Sequence, residues 1–162
     1  MSILHMVKLA LVSALYVVFT VIVHPLSYGA VQFRFAEILV LLCFFRKDYA
    51  ISIIIGCFIA NLFSPILLYD ITFGTFHTIM SVILIGKSKQ LWVAALVPVI
   101  LMPIIGLELT IALKLPFFIT TLTCMLGEAA VLLLIGVPLF TILRKNNGFL
   151  QLIEANQNWE KK

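Results

Sequence analysis

Four carboxylates stand out by the company they keep. Glu37, Asp70, Glu108 and Glu128 each lie inside or at the edge of a long apolar run. An ionised carboxylate at the centre of a membrane helix costs about 3 kcal/mol on insertion scales. One placed there needs a partner or a polar cavity, and it accepts hydrogen bonds and favours cations. Glu128 is the extreme case. It lies eleven residues past Phe117, about 16 Å along a helix and near the middle of a bilayer. Two other patterns run beside these acids. Asp70, Gly74 and His77 are spaced i, i+4, i+7, and Thr121, Cys124 and Glu128 make a similar stripe; each set marks one helix face. His77 reads more readily as a helix-to-helix hydrogen bond than as a ligand contact. Asn61 fits equally a helix cap before Pro65 and a place among the acids. The chemistry on offer is recognition of a cationic or donor-rich small molecule.

The elements that must position these residues follow from composition. Of the 162 residues, 63% are hydrophobic and 11% charged, against about 25% charged in an ordinary soluble domain. That excludes a soluble globular enzyme, a disordered chain and a nucleic-acid-binding domain. Apolar runs extend over residues 4–23, 30–45, 49–63, 71–85, 91–113 and 117–143, separated by His24-Pro25, Arg46-Lys47-Asp48, Ser64-Pro65, Gly86-Lys87-Ser88-Lys89 and Lys114. The first lacks a small-residue cleavage pattern and is expected to stay in the mature chain. The spacing predicts an all-α integral membrane protein, a bundle of six transmembrane helices with the second and third shortest. Residues 1–145 form the membrane domain, and 146–162 form a polar tail. With both termini inside, nine of the 11 basic residues fall on the inner side, leaving Arg34 and Lys114 outside; positive charge favours the cytoplasmic face. The four acids then share the outer half with only those two cations. Arg34 and Glu37, at i, i+3, are the pair that helical spacing suggests.

Smaller signals are fewer. Ala10 and Ala14 form a small-xxx-small pair that lets another helix approach closely. Gly86-Lys87-Ser88 resembles the end of a phosphate-binding loop, but Ser81 stands where that motif requires glycine, so no ATPase belongs to this chain. Cys43, Cys57 and Cys124 sit within apolar runs as small core residues. His5, His24 and His77 lack ligand spacing, and neither a metal nor a cofactor is expected. Aromatic residues collect at the outer edge, as in membrane proteins generally. The segment Tyr28–Arg34, with Gly29 for backbone freedom and Gln32 as donor and acceptor, is expected to act as a lid.

Taken in order, Gln32-Phe33-Arg34-Phe35-Ala36-Glu37, Gly56-Cys57-Phe58-Ile59-Ala60-Asn61, Asp70-Ile71-Thr72-Phe73-Gly74 and Leu126-Gly127-Glu128-Ala129, with the Ala10/Ala14 pair, resemble the QueT-type substrate-binding (S) components of energy-coupling factor transporters. The resemblance covers roughly residues 5–145 and departs at Ser64-Pro65-Ile66, where a more glycine-rich loop is expected. It implies a binding subunit, not an enzyme, in a bacterial plasma membrane. That subunit captures a queuosine precursor, a 7-deazaguanine such as the 7-aminomethyl form. Its partners would be a transmembrane coupling subunit, met through Ala10 and Ala14, and two ATPase subunits that supply the energy. Glu128 and Glu108 would hold the ligand, with Asn61, Asp70, Gln32, Arg34, Glu37 and His77 around it. Alternatives of other classes are a self-contained proton-coupled transporter or channel using Glu128 and His77, an S component for another vitamin, and an assembly subunit whose acids are all internally paired.

The charge asymmetry yields a direct test. Single cysteines placed at Ser2, Lys87 and Gln157 should react with a membrane-impermeant thiol reagent only from the cytoplasmic side, and one at Lys114 only from outside. Labelling of positions 2 and 157 from opposite sides would contradict the topology.

Overall fold

Among the described residues, interruptions of the apolar runs become the turns between helices. The computed structural model describes residues 3–23 and 33–155. Gln32 and all of the expected lid before Phe33 lie outside the described residues. The helices are α1 (Ile3–Ile22), α2 (Phe35–Phe45), α3 (Tyr49–Asn61), α4 (Leu67–Ile85), α5 (Leu91–Leu113), α6 (Phe117–Leu143) and α7 (Asn147–Leu152). Among the described residues there is no strand. Helices α1, α4, α5 and α6, of 20, 19, 23 and 27 residues, are long and apolar enough to cross a bilayer, whereas α2 and α3 are shorter apolar helices. Their outer faces are unpaired hydrocarbon: Leu68 and Leu134 are each 74% exposed and Phe118 is 84% exposed. In water such a surface is an aggregation liability; in lipid it is the solvated face.

The short α2 is the axis of the bundle. Residues Phe35–Leu41 wind as a 3-10 helix before Leu42–Phe45 turn α-helical, and Ala36, Val40, Leu41, Cys43 and Phe45 are wholly buried. The tighter winding rises about 2 Å per residue instead of about 1.5 Å, so a short run reaches further. Helices in lipid gain little from hydrophobic association and depend on close packing of small residues. Gly56 of α3 is one such place. A Cβ there would meet Tyr16 Cβ at 2.9 Å and the Ser13 carbonyl at 3.0 Å, and Ser13 Oγ donates to the Ser52 carbonyl at 2.8 Å. Gly106 of α5 is another, since a Cβ would collide with the side chain of Thr121 on α6.

Besides α2, three helices depart from regular winding where the sequence forces or permits it. Helix α5 breaks at Met102, with Pro103 as the first residue of its second half, a position where a missing N–H does no harm. Helix α4 starts at Leu67, earlier than the apolar run, because it passes through Asp70 as a π turn over Asp70–Gly74. Helix α6 widens likewise over Ala130–Gly136, just ahead of Pro138.

At one end of the bundle the basic residues are tied to the tail. Lys8 Nζ donates to Glu154 at 2.8 Å. Arg46 bonds Glu154 at 3.0 Å and Asp48 at 2.8 Å. The buried His5 ring lies 3.4 Å from Asp48 and 3.2 Å from Glu154. Helix α7, capped by Asn146 Oδ1 on the amides of Gly148 and Phe149, packs Phe149 against Phe45 and Phe140. The two ends of the described chain therefore meet at one end of the bundle, and the start of the tail is docked.

The Lys8 hydrogen bond, against the opposing effect of desolvation and helped by the charges of Lys8, His5 and Arg46, holds the Glu154 carboxyl below the usual carboxylate range. A lowered value contributes stability above the ordinary carboxylate pKa and loses it as the pH falls through the lowered one. Amide exchange over residues 147–155 should therefore stay protected at neutral pH and speed up in acid. Glu154→Gln should show the acid behaviour at neutral pH, and unchanged protection in that variant would contradict the latch.

Candidate functional site

The alternating helix directions bring the starts of α2, α4 and α6 to the same end as the finishes of α1, α3 and α5, opposite the tail. Arg34 precedes α2 in non-helical backbone, φ −89° and ψ 88°, and its guanidinium bonds Asp70 Oδ1 at 2.8 Å with side chains 4% and 1% exposed. Ser64 Oγ donates to the other oxygen of Asp70 and accepts the Ile66 amide at 3.0 Å. The π turn brings the Thr75 N–H back to the Asp70 carbonyl, which also receives Asn61 Nδ2 at 2.7 Å. Asn61 and Thr78 donate in turn to Cys57 Sγ at 3.4 and 3.1 Å. Gly74 eases the packing of Asn61 in this knot. A Cβ there would stand 3.0 Å from Asn61 Nδ2, 3.6 Å from Asp70 Oδ1 and 3.7 Å from Arg34 Nη1.

The other three acids surround this pair. Glu37 receives the Tyr16 hydroxyl on Oε1 at 2.5 Å; its Oε2 is buried with no hydrogen-bond partner among the described residues. Glu108 and Glu128 are wholly buried, and none of the described residues donates to either oxygen of either acid. Asp70 lies beside Glu108 both as a like charge and within hydrogen-bonding reach, Glu37 acts as a like charge on Glu128, and Arg34 reaches both as the opposing one. The Thr121 hydroxyl and Asn61 Oδ1 are also buried without partners among the described residues. Thr121 comes this close to α5 because residue 106 is glycine.

His77 sits at the edge and joins helices. Met102 N–H turns back to Val99 O, leaving the Pro98 carbonyl to receive His77 Nε2 at 3.1 Å. A carbonyl only accepts, so Nε2 carries the proton in this bond.

Both helical stripes read from the sequence face inward: Asp70, Gly74 and His77 on α4, and Thr121, Cys124 and Glu128 on α6. The expected i, i+3 pair of Arg34 with Glu37 gives way to a different pairing, Arg34 with Asp70 and Tyr16 with Glu37. The cause is that Arg34 is the N-cap of α2: its carbonyl accepts the Glu37 N–H at 2.9 Å, but its own dihedrals are not helical, so its side chain does not follow helical spacing. Asn61 takes its place among the acids and does not cap α3. Lys114 is exposed at the end of α5, in left-handed backbone with φ 60°. Gln32 lies outside the described residues. Phe76 and Phe118, at 52% and 84% exposure, face outward. Ala10 and Ala14 are exposed and line a separate apolar groove of about 610 Å³ with Ile51, Ile55 and Ile59 of α3. Sequence reasoning missed Tyr16, Ser64 and Thr78. A hydroxyl within an apolar run is the available signal, because a buried one calls for a partner.

Chemically, one guanidinium faces four carboxylates, and six acceptor oxygens on Glu37, Asn61, Glu108 and Glu128 have no donor among the described residues. Such a set suits a ligand carrying several N–H donors and a positive charge. Among the described residues no three His, Cys, Asp or Glu side chains group as a metal site.

A family model described as QueT transporter matches residues 6–145. A protein of Lactococcus lactis subsp. cremoris (strain MG1363) named Queuosine precursor transporter QueT is 34% identical over 141 residues, covering 76% of this chain and 83% of its own. No solved structure matches.

The buried pair supplies a stability test. Asp70→Asn leaves Arg34 buried without its carboxylate, and losing one partner of such a pair typically costs about 3–5 kcal/mol. Thermal unfolding of the variant in detergent should show a marked loss of stability, and a melting curve equal to the parent's would contradict the role assigned to the pair.

Proposed function

The chain belongs to the QueT transporter family, and from that premise we propose that it is the substrate-binding subunit of an energy-coupling factor importer for a queuosine precursor. It spans the bacterial plasma membrane six times, with both termini and the 146–162 tail in the cytoplasm, and captures its ligand from outside. The observation that carries this reading is the incomplete pairing of the buried acids. An assembly subunit has no reason to leave Glu108 and Glu128 without donors, because an unsatisfied buried polar group costs about 1–3 kcal/mol and a charged one more. A 7-deazaguanine answers the deficit: its ring N–H groups and exocyclic amine line one edge, and a 7-aminomethyl group adds an ammonium.

Within this reading Glu128, deepest in its helix, takes the N–H edge of the base, and Glu108, nearer the end of α5, takes the ammonium. Glu37 accepts through its open oxygen, and Asn61 through Oδ1. Arg34 and Asp70 hold the frame, His77 joins helices at its border, and Gln32 contributes from the segment before α2. The His77 bond to Pro98 fits a structural role better than a relay with Glu128, which weighs against the proton-coupled alternative.

Transport energy comes from two ATPase subunits through a membrane coupling subunit. The exposed Ala10 and Ala14 support a close helix contact, since small residues allow backbones to approach and their groove is apolar.

Two measurements test this reading. Glu128→Gln should weaken binding of 7-aminomethyl-7-deazaguanine to the purified protein by about 2 kcal/mol or more, roughly thirtyfold. Parent-like affinity in a well-folded variant would remove Glu128 from the site. Ala10→Leu or Ala14→Leu should reduce copurification with the coupling and ATPase subunits while leaving ligand affinity in detergent unchanged. Lost ligand binding with normal assembly would make the pair an internal packing feature.

A further inference from the structure

We propose that Tyr16 is the positioning residue of the ligand site: its hydroxyl holds one oxygen of Glu37 so that the other is presented to the ligand. The inference rests on the functional reading above and adds a residue on α1 to it. Tyr16 is 1% exposed and donates to Glu37 Oε1 at 2.5 Å. Glu37 sits on the 3-10 turn of the buried α2, so its backbone is fixed. With one oxygen held as an acceptor, the direction of the other is set, and Oε2 is buried without a partner among the described residues. The Glu37 carboxyl as a whole lies within electrostatic reach of Glu128 and His77, so the group that Tyr16 holds belongs to the acid cluster.

Tyr16 is itself held in place. Gly56 lies against its Cβ and Cγ, 2.9 and 3.2 Å from where a Cβ would be, and Thr20 Oγ1 donates to the Tyr16 carbonyl at 2.9 Å. Volume alone does not call for tyrosine. Phenylalanine fills the same space, and a phenol hydroxyl inside an apolar bundle is unfavourable unless it is bonded. The hydroxyl is accounted for by its carboxylate.

The test is a double-mutant cycle read by titration of the purified full chain with 7-aminomethyl-7-deazaguanine. Tyr16→Phe should weaken binding about tenfold or more, the size of a hydrogen bond to a charged group. The same change in a Glu37→Gln background should alter affinity by less than about twofold, because the carboxyl group that Tyr16 positions is no longer there. As a second probe that keeps ring and hydroxyl, Tyr16 replaced by 3-fluorotyrosine should show a fluorine resonance that shifts when ligand saturates. This probe decides the matter if Tyr16→Phe does not fold, and an unmoved resonance then overturns the proposal. Parent-like affinity of Tyr16→Phe, or an equal loss in both backgrounds, overturns the role of Tyr16 alone. Failure of the parent to bind overturns the functional reading and this inference together.

Discussion

Charge taken out of water inside a bundle that is itself immersed in lipid is the condition to which the other features of this protein respond. Burying an ion costs several kcal/mol even after relaxation, and the Arg34–Asp70 pair offsets that only because the geometry around it is complete. Ser64 takes the second oxygen of Asp70, Asn61 and the π turn take its carbonyl, and Gly74 leaves the room. The pair joins the entry to α2 with the start of α4, elements 36 residues apart in sequence. The polar end of the bundle is organised around this single contact, and the other three acids are placed relative to it.

The opposite end obeys the same physics with a different outcome. There the ions are partly exposed, and Lys8, Arg46, Asp48 and Glu154 form a network with His5 at its centre. A surface network of this kind contributes modestly to stability and serves to dock α7 on the bundle. One end satisfies its charges internally; the other leaves carboxylates open. That contrast within one chain is the strongest physical reason to read the open end as a receptor, since the same fold shows that it can pair its acids where nothing else is asked of them.

Much of this is legible in the order of the residues alone. Breaks such as Arg46-Lys47-Asp48 and Gly86-Lys87 are unambiguous in an apolar chain, and the two stripes ending at His77 and Glu128 follow from the helical period. What escapes such a reading depends on contacts between distant segments. The partner of Arg34 is invisible to local spacing because the helix begins one residue later and the true partner lies on α4. Asp70 resembles a boundary because it interrupts hydrophobicity, yet α4 runs through it once the π turn and the guanidinium have satisfied it. Tyr16 is lost among the apolar neighbours of α1, and its meaning emerges only when Glu37 is placed beside it. The docking of α7 depends on Glu154, whose partners Lys8 and Arg46 lie more than a hundred residues away.

The central claim is that open carboxylates at the polar end recognise a cationic, donor-rich base. Comparative titration of the purified parent chain with 7-aminomethyl-7-deazaguanine and with the uncharged 7-cyano compound tests it most directly, because the two share a base and differ in the ammonium. The account predicts saturable binding of the aminomethyl compound, one per chain, at least tenfold tighter than the nitrile, as expected for a charge-assisted hydrogen bond worth about 1.5–3 kcal/mol. Equal affinity for the two, or no saturable binding of either, would contradict it.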